Sequence, residues 1–232
     1  YAFSDFHLSG DPPTKPMDIF GDNWKNHREK ILSAWKKNIT AGDTVIMAGD
    51  ISWATHLEDA LSDLKTLSAL PGRKIIVRGN HDYWWNTVSK MKRMTDNAFE
   101  FIFNSALSVE NIALAGTRGW IPETSKKITE EDKVIILREQ GRLERSLIEA
   151  EKFNCKKIFA ILHYPPFDEQ RRPTKMMEIM KSHGVTDCIY GHIHGKQNFN
   201  NLPKELEGIQ LHLTSSDYLD FKPLLLTEWN ES

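Results

Sequence analysis

The sequence contains little cysteine and no long hydrophobic segment, and each absence argues against a class of protein. Only Cys155 and Cys188 occur among 232 residues, so we expect no disulfide framework of the secreted type and predict a cytoplasmic protein with reduced thiols. No apolar run approaches the roughly 20 residues that a membrane helix needs, so no membrane span is expected. We find no signal peptide and expect that a few residues, including the initiator Met, precede Tyr1.

The sequence also lacks a large excess of either charge. Its formal net charge is −2, which disfavours long duplex nucleic acid as a partner but is compatible with a small phosphorylated substrate. The hydrophobic content of 40% is enough for a packed core, and there is no internal repeat, low-complexity segment or linker. We therefore predict a single domain over residues 1–232, and the sequence does not indicate an oligomeric state.

Short hydrophobic strands alternate with amphipathic helices in this chain. The β-α-β-α-β order of the first half predicts parallel strands, and a tight turn at residues 110–111 predicts a hairpin in the middle. The fold class we predict is α/β, with two mixed β-sheets flanked by helices. Helices are predicted at residues 23–39, 57–70, 86–94, 130–153 and 173–182, strands at 1–3, 44–47, 74–77, 99–103, 106–109, 112–115, 156–162, 188–190, 209–213 and 224–229, and a loop at 116–127.

Five of the predicted strands end in residues that bind metal ions. Ligands in open α/β sheets bind at the carboxyl ends of strands, so these side chains are expected to converge. Within Asp5-Phe6-His7 an extended backbone would point both polar side chains to one face, and His192 and His194 would do the same. The segments are Asp5-Phe6-His7, Gly49-Asp50, Gly79-Asn80-His81-Asp82, His163 and Gly191-His192-Ile193-His194.

The types of these residues predict the kind of metal site. Carboxylate, amide and imidazole ligands together suit Mn²⁺, Fe or Zn²⁺ better than the all-oxygen sites that Ca²⁺ prefers. Seven candidate ligands are too many for one tetrahedral ion, whereas they suit two ions about 3.5–4 Å apart that share a bridging carboxylate. Seven unpaired polar groups would also be costly to bury for a structural purpose alone.

In order and type, these segments resemble the calcineurin-like metallophosphoesterases, whose pattern is D-x-H, G-D, G-N-H-[D/E], H and G-H-x-H. Any one element alone is weak, but the five in order are specific and span nearly the whole chain. The resemblance implies a four-layer fold of the metallo-dependent phosphatase type, in which two β-sheets pack as a sandwich. It also implies two divalent metal ions, with Mn²⁺ expected in vitro and Fe, Zn²⁺, Co²⁺ or Ni²⁺ as alternatives.

The resemblance further assigns a role to each residue. Asp5, His7 and His194 would bind one metal, Asn80, His163 and His192 the other, and Asp50 would bridge them. A hydroxide held between the metals would attack phosphorus, and His81 would act as the general acid on the leaving group. Asp82 would orient His81 and favour its protonated form.

Longer stretches narrow the resemblance to a bacterial group of predicted phosphohydrolases. They are Ser4 to Ser9, Gly49 to Ala54 and Arg78 to Trp85. The second segment continues as Ile51-Ser52-Trp53 and has no Arg where the phosphoprotein phosphatase branch has G-D-x-V-D-R-G. Protein phosphatase activity is therefore not expected.

Four further side chains are candidates for binding substrate. Trp53 and Trp84 follow ligand segments and Trp120 lies in the predicted loop, so they are either core residues or an aromatic wall for a flat leaving group. Arg118 lies between two glycines in that loop and is either a phosphate clamp or part of an ion pair. We assign the remaining histidines, His27, His56, His183 and His212, to the surface or to packing.

The sequence leaves the reaction partly open. Besides a phosphatase, the metal site would serve a nuclease or a cyclic-nucleotide phosphodiesterase, although the near-neutral charge disfavours long nucleic acid. A non-catalytic scaffold is the third alternative, and the presence of every ligand argues against it. Neither the native substrate nor the physiological metals follow from the sequence.

Overall fold

Two β-sheets lie face to face between layers of helices in the computed structural model of the chain, which describes residues 1–226. The first sheet has three parallel strands in the order β1-β2-β3. Helices α2 and α3 connect these strands, and α1 precedes them. The bounds are α1 His27–Asn38, β1 Thr44–Met47, α2 Leu57–Ser68, β2 Arg73–Val77, α3 Val88–Met94 and β3 Glu100–Ile102.

The second sheet has six strands in the order β4-β5-β6-β7-β9-β8. Its four central strands, β5, β6, β7 and β9, are parallel, whereas β4 and β8 pair antiparallel at the two edges. The bounds are β4 Ala106–Val109, β5 Ile112–Thr117, α4 Glu130–Glu151, β6 Lys157–Leu162, α5 Lys175–Ser182, β7 Asp187–Tyr190, β8 Glu205–Leu206 and β9 Ile209–Leu213.

Alternating side chains of each strand explain the order of the layers. On β1, Val45 and Met47 pack in the cluster that contains α1, α2 and α3 residues, whereas Ile46 packs against the second sheet. On β6, Phe159 and Ile161 face the first sheet, and the intervening residues pack towards α4 and α5. This period of two produces a helix–sheet–sheet–helix sandwich and confirms the predicted α/β class and its four layers.

Several element boundaries differ from those predicted. Helix α1 begins at His27 rather than at residue 23, because Lys25 has a non-helical backbone and Asn26 a left-handed one. Strand β5 continues through Gly116 to Thr117, since both residues pair with β6. The short strand β8 was not predicted. The first sheet is parallel throughout its named strands, so only the second sheet is mixed.

The first residues of the chain meet Leu224 beside the first sheet. Residues 1–3 form no regular strand, but Ala2 bridges Ile46 on one side and Leu224 on the other. Of the strand predicted at residues 224–229, positions 227–229 lie outside the described residues. Within residues 1–226, no helix combines the length and hydropathy required to cross a membrane.

Candidate metal centre

The carboxyl ends of strands from both sheets meet at one edge of the sandwich and bring all seven predicted ligands together. On the first side of this centre, the Nε2 atoms of His7 and His194 lie 3.2 Å apart. Asp5 Oδ1 is 3.2 Å from the same His194 nitrogen. These three side chains offer donor atoms close enough to one another to hold one metal ion.

On the second side, Asn80 is surrounded by two histidines. Its Oδ1 atom lies 2.6 Å from His163 Nε2 and 2.9 Å from His192 Nδ1. Asp50 stands between the two sides, because its Oδ2 atom is 3.8 Å from His7 Nε2 and 3.5 Å from His163 Nε2. A carboxylate in this position can contribute an oxygen to each group of ligands.

The donor atoms are presented in the form that metal binding requires. His163 Nδ1 lies 2.8 Å from the Ala48 carbonyl oxygen, so a proton on Nδ1 is donated there and the Nε2 lone pair faces the centre. His194 is held in the same way, with Nδ1 2.8 Å from Asp217 Oδ1. Such partners on the outer ring nitrogen are typical of metal-binding histidines. The donor set therefore fits divalent metal ions.

Burial and charge also prepare the centre for cations. Burial lowers the pKa of His163 to about 4 and that of His192 to about 3, so both rings are neutral at pH 7. Burial, followed by the charges of Asp82 and Asp5, raises the pKa of Asp50 well above its usual value. A cation between the carboxylates would relieve the part of this shift that comes from repulsion between them.

His194 behaves differently from the other histidines of the centre. Burial alone would lower its pKa, but hydrogen bonds to Asp217 and Asp5 raise the pKa to about 10. Burial alone would raise the pKa of Asp5, yet the hydrogen bond and charge of His194 lower it below its usual value. The two carboxylates therefore make the surroundings of His194 favourable for positive charge.

The backbone at four of the seven candidate ligands is left-handed rather than extended. The φ angles are +57° at Asp5, +49° at His7, +53° at Asp50 and +70° at His192. The prediction that an extended backbone aligns Asp5 with His7 was therefore wrong, although the side chains do converge. Non-glycine residues adopt this conformation at a cost of about 1 kcal/mol or more, and such strain concentrates at functional sites.

Two glycines in the ligand segments are required by close contacts. A Cβ atom on Gly79 would lie 2.1 Å from Asp50 Oδ1, and one on Gly191 would lie 2.3 Å from Asp5 Oδ2. Any side chain at these positions would displace a ligand carboxylate. The glycines before Asn80 and His192 therefore have a steric purpose at the centre.

Asp82 connects the loops that carry the candidate ligands by hydrogen bonds, and its carboxylate does not bond the His81 ring. Its carboxylate accepts backbone hydrogen bonds from Gly79, Asp50 and Ile51 and a further bond from Trp84 Nε1. The prediction that Asp82 orients His81 is wrong in this structure, because these donors occupy both of its oxygens. Trp84 is 1% exposed and lies in the core, so its predicted role in binding substrate is also wrong.

His81 lies beside the predicted ligands and is not predicted to be one of them. Its backbone N–H donates to Asp50 Oδ1 at 2.8 Å, and its ring lies 4.3 Å from that of Trp53. Within residues 1–226, its buried Nδ1 atom has no hydrogen-bond partner. Burial, followed by the charges of Lys15 and His194, lowers the pKa of His81.

The other proposed substrate residues lie at different distances from the centre. Trp53 stacks on His7 with ring centroids 4.9 Å apart and is well placed to touch a substrate. Arg118 lies 3.8 Å from the buried Glu139 carboxylate and covers the Trp120 ring, whose Nε1 donates to Asp132. Binding of substrate by Arg118 and Trp120 stays a prediction.

Sequence reasoning missed several residues of the centre. Asp217 bonds both the His194 ring and the Gly195 backbone N–H, and Ser215 donates to Asp5 Oδ2. Both follow strand β9, so the strand-end signal that identified the ligands was also present here. The Trp24 ring lies edge-on to the His7 ring, and its centroid is 5.7 Å from that of the His194 ring. No comparable sequence signal marks Trp24.

The chain is similar to known proteins both in sequence and in fold. The family model described as calcineurin-like phosphoesterase matches residues 1–196 of the chain. No curated protein sequence matches this chain. Among solved structures, TT1561 of Thermus thermophilus has a TM-score of 0.60 at 12% identity, with 91% of this chain and 86% of that chain covered.

Two further solved structures are similar over nearly their whole length. Phosphopantetheinyl hydrolase (PptH) from Mycobacterium tuberculosis has a TM-score of 0.54 at 12% identity, with 100% of this chain and 97% of that chain covered. The protein of unknown function AQ665 from Aquifex aeolicus has a TM-score of 0.52 at 19% identity, with 97% and 93% covered. At these identities the likeness shows the fold alone.

Proposed function

The chain belongs to the calcineurin-like phosphoesterase family, and on that premise we propose that it hydrolyses a small phosphorylated substrate with two divalent metal ions. The observation that carries this proposal is the position of Asp50 Oδ2, 3.8 Å from His7 Nε2 and 3.5 Å from His163 Nε2. A carboxylate shared by two sets of ligands is the arrangement that a two-metal site requires. The free thiols Cys155 and Cys188 support a cytoplasmic location as part of the same proposal.

In this proposal, each metal ion has three ligands of its own. Asp5, His7 and His194 hold one ion, Asn80, His163 and His192 hold the other, and Asp50 contributes to both. Bound divalent ions would make water more acidic and stabilise charge on the phosphoryl oxygens. We propose Mn²⁺ for activity in vitro, with Fe, Zn²⁺, Co²⁺ or Ni²⁺ as alternatives.

The chain's own contribution to the reaction centres on His81. Its side chain lies next to His7 and Trp53 and lines the cavity beside the metal centre. A protonated imidazole there can donate to the leaving oxygen as a general acid. Since Asp82 does not contact the ring, the anionic substrate itself would favour the protonated form as it binds.

Replacing the shared carboxylate tests the proposal. We expect Asp50→Asn to lower hydrolysis of an aryl phosphate in Mn²⁺ at least about a hundredfold, because bound metal is worth several kcal/mol to the transition state. Asp187→Asn is the matched control, since Asp187 lies at the opposite end of β7 from His192 and should not affect the rate. An Asp50→Asn rate equal to wild type would refute the assignment.

Replacing His81 separates proton transfer from metal binding. We expect His81→Ala to slow turnover about 10²- to 10⁴-fold, because general-acid assistance is lost, and to retain the wild-type metal stoichiometry. Metal content measured after Mn²⁺ loading and dialysis checks the second point. Less than about one equivalent in the wild type would favour a non-catalytic scaffold.

A second cavity favours phosphodiesters as an alternative class of substrate. It encloses about 560 Å³ and is lined by Arg171, His192, His194 and Asn198 among others, so His194 lies between two cavities. Substituents on both sides of one phosphorus atom would then have space, as in a nuclease or cyclic-nucleotide phosphodiesterase. Faster hydrolysis of a bis-aryl than of a monoaryl phosphate would support this alternative.

A further inference from the structure

The cavity beside His81 has one polar wall and one apolar wall. It encloses about 460 Å³, within the usual range for a small-molecule site, and His7, His81 and His194 form its polar side. Met17, Trp24 and Trp53 stand on the apolar side, with Phe20 also lining the cavity. The cavity is therefore continuous with the metal centre and has an apolar surface facing it.

The apolar wall is packed directly on the ligand histidines. Trp53 stacks on His7 at 28° between ring planes, and its Nε1–H donates to Met17 Sδ at 3.3 Å. Trp24 is 3% exposed and is fixed edge-on against Phe221. Because these contacts hold both indoles in place, the wall is preformed for a ligand.

Exposed apolar side chains lie at the cavity, where Phe20 lines it, and next to it at Ile19. Ile19 and Phe20 lie in the short 3₁₀ helix Asp18–Phe20 and are 73% and 62% exposed. Apolar side chains exposed together beside a cavity are characteristic of binding sites for apolar groups. They lie next to one another in the segment that also contributes Met17 to the wall.

Charged side chains beside this cavity include Lys15, whose Nζ lies 3.5 Å from the centroid of the Trp53 ring, as well as Lys196 and Asp217. The only carboxylate that lines it in the described part of the chain is Asp217, which already bonds His194 and Gly195. Lys196, Gln197 and Asn23 are exposed side chains. A hydroxyl-rich leaving group would lose its water against Met17 and the two indoles, and the apolar wall itself would return few hydrogen bonds, which is costly.

We propose that this cavity binds the leaving group of the substrate, and that the leaving group is a bulky apolar alcohol, alkyl or aryl, rather than a sugar or another polyol. The inference rests on the proposed function, because His81 protonates the leaving oxygen and lines the same cavity. Hydrolysis then breaks the P–O bond, water supplies the oxygen of the phosphate product, and the apolar alcohol leaves with a proton.

A series of n-alkyl phosphates tests this substrate class. We expect kcat/KM in Mn²⁺ to rise from butyl to hexyl to octyl phosphate, by at most about fourfold for each methylene that the cavity buries. Glycerol phosphate should be the poorest substrate of the set. A flat or falling series in an active enzyme, or a preference for glycerol phosphate, would overturn the inference and leave the proposed function intact.

A variant pair locates the effect in the cavity. Phe20→Ser should reduce the octyl-to-butyl ratio of kcat/KM at least threefold, whereas Phe153→Ser should leave the ratio unchanged. Phe153 is the matched control, because it is 43% exposed and follows α4 outside the cavity. An equal ratio in Phe20→Ser and wild type would contradict the assignment of this cavity.

If no ester is hydrolysed, that result counts against the proposed function. A binding measurement still tests the inference about the cavity in that case. Titration of the metal-free protein with 1-octanol should change its tryptophan fluorescence, since Trp24 and Trp53 line the cavity, and glycerol should not. The octanol affinity should fall in Phe20→Ser and not in Phe153→Ser. No octanol-dependent change in the wild type would count against the cavity as an apolar site.

Discussion

Two histidines in the described part of the chain each lie between two carboxylates, and only one of them belongs to the candidate metal centre. His194 has Asp217 2.8 Å from Nδ1 and Asp5 3.2 Å from Nε2. His183, at the end of α5, has Glu151 2.7 Å from Nδ1 and Glu144 3.1 Å from Nε2. Judged by these distances alone, the two sites are almost the same.

The difference lies in what surrounds each ring nitrogen. The Nε2 atom of His194 faces a second imidazole, that of His7, as well as Asp5, so several donors converge on one side of the ring. The two carboxylates of His183 approach opposite nitrogens, and both glutamates come from the surface of α4. Convergence of donors on one point, rather than the number of carboxylates, therefore distinguishes a metal site from an ion pair that joins two helices.

Removal of each histidine in turn is the strongest test of this distinction. We expect His194→Ala to bind about one Mn²⁺ fewer and to lose at least about a hundredfold in aryl phosphate hydrolysis, because one ion loses a ligand. His183→Ala should match the wild type in both measurements. Equal losses in the two variants would show that the histidines act through stability rather than through metal.

The sequence could predict that these side chains converge, because most of them follow a hydrophobic strand and the α/β fold brings strand ends together. Asp50 and Asn80 were identified as candidate ligands in this way, whereas the residues before Asp5 form only isolated bridges. The left-handed backbone at Asp5 and Asp50 could not be predicted, since non-glycine residues rarely adopt it and the packing of Gly79 and Gly191 against the carboxylates enforces the local geometry.

The role of Asp82 shows a second limit of sequence reasoning. Proximity along the chain suggested a partnership with His81, but neighbouring residues often point in different directions. The backbone N–H groups of Asp50 and Ile51, more than 30 positions away, reach the carboxylate instead. Such bonds depend on how the loops after β1 and β2 pack, which no local pattern specifies.

The Asp217 carboxylate, which bonds His194, allows a more specific test of the comparison between His194 and His183. Asp217→Asn should lower Mn²⁺ affinity about 10- to 100-fold, because the amide cannot accept from both His194 Nδ1 and Gly195 N–H and the imidazole loses its fixed orientation. Calorimetric titration of the metal-free protein with Mn²⁺ measures this change.

Asp187→Asn is the control for Asp217→Asn. Asp187 also lies 2.8 Å from a histidine nitrogen, that of His212, but at the far end of β7 from the centre. Its replacement should leave Mn²⁺ affinity unaltered. A loss of affinity as large in Asp187→Asn would assign both effects to general destabilisation of the fold.

The smallest expected effect concerns the pH dependence of His183. Burial alone would lower its pKa, but hydrogen bonds to Glu151 and Glu144 raise it above the usual value. A raised pKa in the folded state stabilises the protein fully below about pH 6.5, the unfolded value, and the contribution is lost as pH rises through the folded pKa. His183→Gln should therefore reduce the free energy of unfolding more at pH 6 than at pH 9, by roughly 1 kcal/mol or less for this surface pair. Urea unfolding at pH 6 and at pH 9 measures this difference. In the His183→Gln background, replacing Glu144 and Glu151 by Gln should add no further dependence of stability on pH between pH 6 and pH 9. If the difference in stability did not depend on pH, His183 would only pack between α4 and α5. His183 and His194 would then share similar distances to carboxylates, but His183 would form no charged pair.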